Sequence, residues 1–167
     1  MSFNEDYSRR EWLLPAAETS SCQTGPVPSF TLSTSTAIAD AEILSLYNSV
    51  GWTVYTDSPD LLFQAIKSSS FVVSAWNEGG NLIGLARTIS DDATICYLQD
   101  ILVHPDLQGT GIGRALFEQV KERYLHVRQT VLITDDEPQQ RAFYQSLGLT
   151  EGSDFSTGPL RVFAEFR

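Results

Sequence analysis

The chain has 167 residues, 42% of them hydrophobic, which suits one globular domain and excludes a disordered, collagenous or solenoid protein. Eleven basic residues against 21 acidic ones leave a net charge of −10 with both histidines neutral. Such a chain lacks the cationic field behind nonspecific nucleic-acid binding, is repelled by anionic lipid and favours cationic ligands, so any anionic ligand needs a strong local device to hold it.

In chain order, residues 1–29 mix charge, prolines and a Thr19-Ser20-Ser21 cluster without a sustained period, and read as an arm or linker ahead of a single domain at 30–167. Ser8-Arg9-Arg10-Glu11-Trp12-Leu13-Leu14 looks superficially like a twin-arginine export signal, but the apolar stretch after it is interrupted by Pro15 and closed by Glu18. No run of about 18 apolar residues occurs. Cys22 and Cys96 are far apart and form no CxxC pattern, which suits reduced thiols and a cytoplasmic location.

Phe30 and Leu32 predict a short strand, and Ile43, Leu46, Tyr47 and Val50 repeat at helical spacing before Gly51. Ser58-Pro59 reads as a helix start, with the serine hydroxyl as cap and Leu62, Phe63 and Ile66 as the buried stripe. Residues 71–76 and 82–89 predict two strands joined by a hairpin turn at Asn77-Glu78-Gly79-Gly80-Asn81, and a third strand runs from about residue 94 to 103. A loop then leads into a helix with Ile112, Leu116, Val120 and Tyr124 on its apolar face. Val131-Leu132-Ile133 reads as a short buried strand, Pro138 opens a helix through Leu147 that Gly148 closes, and residues 160–166 alternate like a last strand. The order β-α-α-β-β-β-α-β-α-β implies an α/β fold: a largely antiparallel mixed sheet with helices on its faces.

The sharpest chemical feature is Gln108-Gly109-Thr110-Gly111-Ile112-Gly113-Arg114, between a strand and a long helix. Glycines allow close approach of the backbone to a ligand, and helix N-terminal amides point outward unpaired. Together with the helix dipole they make a phosphate site, to which Arg114 adds a cation. A Walker A loop would need Gly-Lys-Ser/Thr, where Gly113 is followed by Arg114-Ala115. A Rossmann fingerprint needs a glycine where Arg114 or Leu116 stands, so both fail.

The spacing that fits is Gln-x-x-Gly-x-Gly. The run from Val103 and His104 through Gln108, Gly109, Thr110, Gly111, Ile112, Gly113 and Arg114 to Leu116 resembles the acetyl-CoA motif of the GNAT N-acetyltransferases. Phe143-Tyr144-Gln145-Ser146-Leu147-Gly148-Leu149 is similar to that family's late helix, which carries a tyrosine and ends in Leu-Gly-Phe. Val73-Ser74-Ala75-Trp76, Ile83-Gly84-Leu85-Ala86-Arg87 and Leu98-Gln99-Asp100-Ile101-Leu102-Val103 look most like the plastid and bacterial group related to plant serotonin N-acetyltransferases. The resemblance covers about residues 30–167.

It implies a GNAT-like fold with a splayed central strand pair, acetyl-CoA as co-substrate and direct attack by an amine. The backbone of Ile101, Leu102 and Val103 would hold the pantetheine arm like an added strand, and the amides from Gln108 to Arg114 would hold the pyrophosphate. A backbone amide near Leu102 would stabilise the oxyanion. Tyr144 would stand beside the sulfur and protonate the leaving thiolate. Several family members carry a glutamate where this chain has Gln99, which moves the role of base to Asp100, directly or through a water. The alternative for Asp100 is a structural carboxylate bonding a strand bulge. Tyr97 and Gln99 alternate on one strand face and would line the acceptor pocket.

Other features read more simply. Asp135-Asp136-Glu137 before Pro138 is the acid expected at a helix N-terminus. Trp52, Tyr55 and Trp76 either frame an aromatic amine or belong to the core. His104 sits at the loop mouth and is a poor base candidate, and no histidine or cysteine has metal-ligand spacing. The expected function is a cytoplasmic N-acetyltransferase acting on a cationic primary amine, such as an arylalkylamine, a polyamine or a lysine or N-terminal amine, without metal, nucleic acid or membrane. The last strand would give an edge for a homodimer. The alternative function is a non-catalytic acyl-CoA-binding regulator.

Overall fold

The computed structural model describes residues 29–165. Five strands, β1 (Phe30–Ser33), β2 (Phe71–Asn77), β3 (Leu82–Ser90), β4 (Ile95–Val103) and β5 (Gln129–Val131), form one sheet in that spatial order. The first four pair antiparallel and β5 pairs parallel to β4. The helices are α1 (Asp40–Ser49), α2 (Thr53–Thr56), α3 (Pro59–Lys67), α4 (Ile112–Arg123) and α5 (Pro138–Ser146). This is the mixed α/β architecture that the periodicity predicts, with the single turn of α2 added. The chain forms two compact units, one ending at Val131 and the other beginning at Leu132. The N-terminal arm with Cys22 lies outside the described residues.

In the first unit β3 is buried continuously from Leu82 to Thr88, as a strand covered on both faces must be. Leu85 joins Leu46, Tyr47, Leu62, Ile66 and Leu102 in the core under α1 and α3. Its neighbour Gly84 points to the opposite face, where a Cβ would lie 3.1 Å from both Ile112 Cγ2 and Leu116 Cδ1 of α4. The predicted stripe of α4, Ile112, Leu116, Val120 and Tyr124, is fully buried there. In the second unit, Arg141 on α5 pairs with Glu151 at 2.6 Å and Asp154 at 2.8 Å, fastening the helix to the turn at Gly152–Asp154.

Three local expectations are corrected. Ser58 does precede α3, but its hydroxyl makes no capping bond; its backbone carbonyl accepts from Leu61 and Leu62 instead. The strand expected at residues 131–133 is displaced to Gln129–Val131, and Val131 and Ile133 are exposed. Among the described residues β5 pairs on one side only, with β4, so its apolar run does not mark an interior strand. Residues 160–165 form no strand, and Leu160, Val162 and Phe163 are exposed. Alternation alone does not make a strand without a partner for its backbone, so the dimer edge inferred from it loses its basis.

The close approach of α4 at Gly84 sets a stability test. Gly84→Val is expected to destabilise the chain by about 1–3 kcal/mol through overpacking, read as a fall of several degrees in Tm. An unchanged Tm would show that α4 does not rest on this position.

Candidate active site

Strand β4 is paired differently along its two halves. Ile95, Cys96 and Tyr97 pair with Gln129, Thr130 and Val131 of β5, and the pairing ends there. From Leu98 to Val103 the opposite edge has no strand partner among the described residues. On the β3 side, Arg87 pairs with Asp100 but Thr88 pairs with Leu98, so Gln99 is the extra residue of a bulge. Beyond the bulge the direction of each peptide is set by its neighbours. The His104 amide donates to Ile83 O at 2.9 Å, and Leu102 O lies 3.3 Å from where a Gly84 Cβ would be. The two-residue period therefore turns the backbone groups of Leu102 toward β3 and the amides of Ile101 and Val103 toward the open edge. That corrects the expectation for Leu102: its backbone belongs to the β3 ladder.

The bulge also places consecutive side chains together. Asp100 is buried at 3% exposure and Arg87 at 5%, and they form an ion pair through Arg87 Nε and Asp100 Oδ2. Tyr47 Oη on α1 donates to Oδ2 at 2.8 Å, and Tyr55 Oη on α2 donates to Oδ1 at 3.0 Å. Gln99 Nε2 lies 3.3 Å from the same Tyr55 oxygen, so Gln99 and Asp100 reach toward one face. Burial, and then the charge of Asp100, hold the Tyr47 hydroxyl well above the ordinary tyrosine range and raise that of Tyr55. Both phenols therefore stay protonated and remain donors. Tyr97 and Gln99 are half-buried, and Tyr55, which meets Gln99, forms an aromatic cluster with Trp52 and Tyr47, ring centroids 5.4 to 5.9 Å apart. Trp76 has a structural task, donating its indole N–H to Ser74 Oγ at 2.8 Å.

After Val103 the chain turns through a short 3-10 turn at Pro105–Leu107 and enters α4. Gln108 Nε2 donates to Val103 O at 3.2 Å and Thr110 Oγ1 to Leu107 O at 2.6 Å, tying the loop to the strand it leaves. Gly111 is the N-cap with φ +95°, in the left-handed region, and Gly109 has φ +77°. Only glycine adopts such angles freely, and a Cβ at either position would meet nothing within 4 Å. The first helical bond runs from Ala115 N to Gly111 O, and no side chain caps the helix. The amides of Ile112, Gly113 and Arg114 thus precede the helical ladder, where the dipole favours an anion.

In the second unit Tyr144 is half-buried on α5, its ring 5.2 Å from that of Phe143. Burial pushes its hydroxyl up to about 12, against a hydrogen bond with Thr134 that lowers it. Glu137 caps α5 by position only, without a side-chain bond. Cys96 is a buried free thiol, pushed up to about 11 by burial, which makes it inert. His104 is 38% exposed and 3.8 Å from Asp106. No group of three or more His, Cys, Asp or Glu converges as for a metal among the described residues.

Sequence reasoning missed Arg87, Tyr47 and Tyr55 as partners of Asp100. One signal was present: Arg87 follows Leu85 on the same face of an otherwise apolar strand, and a charge there requires a buried counter-charge.

Residues 40–149 match the acetyltransferase (GNAT) family. An uncharacterised N-acetyltransferase, ycf52, of the alga Pyropia yezoensis is 29% identical over 116 residues, covering 68% of this chain and 66% of that protein. A chloroplastic GCN5-related N-acetyltransferase of Arabidopsis thaliana is 38% identical over 97 residues, covering 52% of this chain and 36% of that protein. The chain thus spans no more than about two thirds of the length of these curated relatives. A solved GNAT-family acetyltransferase from Streptococcus pneumoniae, 26% identical, superposes with a TM-score of 0.68 over 82% of this chain and 100% of its own. Coming together with a bulged, half-unpaired β4 and an uncapped glycine-started α4, these matches establish that the chain belongs to the GNAT acetyltransferase family.

Proposed function

We propose that this chain transfers the acetyl group of acetyl-CoA to a primary amine by direct attack in a ternary complex. One observation carries the reading: the strand edge at Ile101 and Val103, without a strand partner among the described residues, is followed eight residues after Val103 by Gly111 and the helix N-terminal amides beyond it. A pantetheine arm lies along such an edge as an added strand, and a pyrophosphate suits helix N-terminal amides. Gly109 and Gly111 leave the approach clear of side chains. Residues 30–167 act together as one catalytic domain in this reading, and the acceptor is cationic, in keeping with the net charge of −10. An arylalkylamine of the kind implied by the plant serotonin N-acetyltransferase-like resemblance suits the Trp52–Tyr55 aromatics.

The neutral amine attacks the thioester carbon, the C–N bond forms, and the oxyanion is held by the Ile101 amide. Collapse breaks the C–S bond, and the thiolate takes the proton of Tyr144, which is protonated across the physiological range and recovers its proton from solvent before the next turnover. Asp100 takes the structural one of its two expected roles. With Arg87, Tyr47 and Tyr55 donating to its two oxygens, it is a positioning residue, and water carries off the proton of the amine.

The cofactor half is tested at Gly111. Gly111→Val forces a β-branched residue to φ +95° and crowds the pyrophosphate, so the coenzyme A Kd is expected to rise at least tenfold. The backbone penalty is about 1–2 kcal/mol, which leaves the chain folded. Unchanged affinity in a folded variant would overturn the phosphate site.

The role of Asp100 separates by pH. Asp100→Asn leaves the Arg87 charge buried without its partner, an expected loss of about 3–5 kcal/mol in stability. Turnover falls with Tm and does not recover at higher pH. Recovery at higher pH with an unchanged Tm would make Asp100 the base.

Tyr144→Phe tests catalysis against mere binding. Single-turnover transfer to a panel of amines is expected to slow about 10²- to 10⁴-fold, with coenzyme A affinity changed less than about tenfold. Thermal stabilisation of the wild-type chain by coenzyme A without transfer to any amine would make it an acyl-CoA-binding regulator instead.

A further inference from the structure

A tyrosine hydroxyl has one proton to donate. Tyr55 donates it to Asp100 Oδ1, and a carboxylate paired with Arg87 only accepts. The contact between Tyr55 Oη and Gln99 is therefore donated by the amide, Nε2–H to Oη. Burial and the charge of Asp100 raise the Tyr55 hydroxyl, which keeps the proton in place and the direction one way. An amide whose NH2 is held by Tyr55 turns its carbonyl oxygen the other way, on the half-buried β4 face that Gln99 shares with Tyr97. Direction thus passes along a line from Arg87 and Asp100 through Tyr55 to Gln99, and ends in an acceptor.

We propose that Gln99 is a specificity-determining residue of the acceptor site, its Oε1, oriented by Tyr55 and Asp100, accepting a hydrogen bond from the nitrogen of the amine. This rests on the acetyltransferase reading and deepens it. A primary amine keeps an N–H for Oε1 while its lone pair attacks the thioester carbon; a tertiary amine has none once neutral. The neutral carbonyl also accepts from the ammonium on arrival without fixing it in the charged form that cannot attack. Tyr55 and Asp100 are positioning residues behind it.

The test compares Gln99→Met, which keeps length and removes the acceptor, with Gln99→Glu, which keeps an acceptor oxygen. Steady-state KM is measured for 2-phenylethylamine, for spermidine and for acetyl-CoA, alongside Tm. In Gln99→Met the amine KM is expected to rise about tenfold, equivalent to about 1.4 kcal/mol, with the acetyl-CoA KM and Tm unchanged. In Gln99→Glu, which keeps an acceptor oxygen but loses the amide donation to Tyr55, the amine KM is expected to stay clearly below that of Gln99→Met. An unchanged amine KM in Gln99→Met, or an equal rise in both variants, overturns the assignment while wild-type transfer leaves the acetyltransferase reading standing. Failure of the wild-type chain to acetylate either amine overturns that reading for these acceptors, and this assignment with it.

Discussion

A carboxylate buried under helices must be answered by donors, and in this protein the donors for Asp100 come from three different elements. Arg87 reaches it from β3, Tyr47 from α1 and Tyr55 from α2. No buried side-chain nitrogen or oxygen among the described residues lacks a partner, so the network is closed, the condition under which buried polar groups specify a structure. Charge and hydrogen bonding therefore set how α1 and α2 lie on the sheet, in addition to the apolar contacts of Leu46, Leu62 and Ile66.

The same residue sits at the point where β4 changes character. Before the bulge β4 is an interior strand between β3 and β5; after it, one edge has no strand partner among the described residues. A bulge bends its strand and strengthens the local twist, which accounts for β5 pairing with only three residues. The outward amides of Ile101 and Val103 then lead through the short 3-10 turn at Pro105–Leu107 into the loop and α4. A net charge of −10 does not prevent anion binding there. Exposed charges beyond about 8–10 Å are screened at physiological salt, whereas helix N-terminal amides act at hydrogen-bond distance with roughly half a unit of positive charge.

Much of this was legible from the residues, and the failures have physical causes. Helix α4 was visible because a stripe at 3.6-residue spacing and a glycine-rich start are both local properties. The hairpin of β2 and β3 was visible for the same reason, from its Asn77–Asn81 turn. Residues 131–133 and 160–166 misled because an apolar or alternating run reports a preference for burial or pleating, while a strand also needs a neighbour's backbone. Ser58 misled in a smaller way, since its carbonyl met the need assigned to its hydroxyl.

By itself the sequence determined the α/β class, the element order through β4 and α4 apart from the single turn of α2, the glycine-rich start of α4 and the family resemblance, all of which depend on residue type and short spacing. Only the tertiary structure decided that Leu102 turns to β3 while Ile101 and Val103 face outward, because peptide direction follows from register with a strand some 18 residues away. It alone joined Tyr47, Tyr55, Arg87 and Asp100, which are separated by up to 53 positions. And it alone placed Gln99 and Asp100 on one face, because a bulge breaks the alternation that any reading of a strand from sequence assumes.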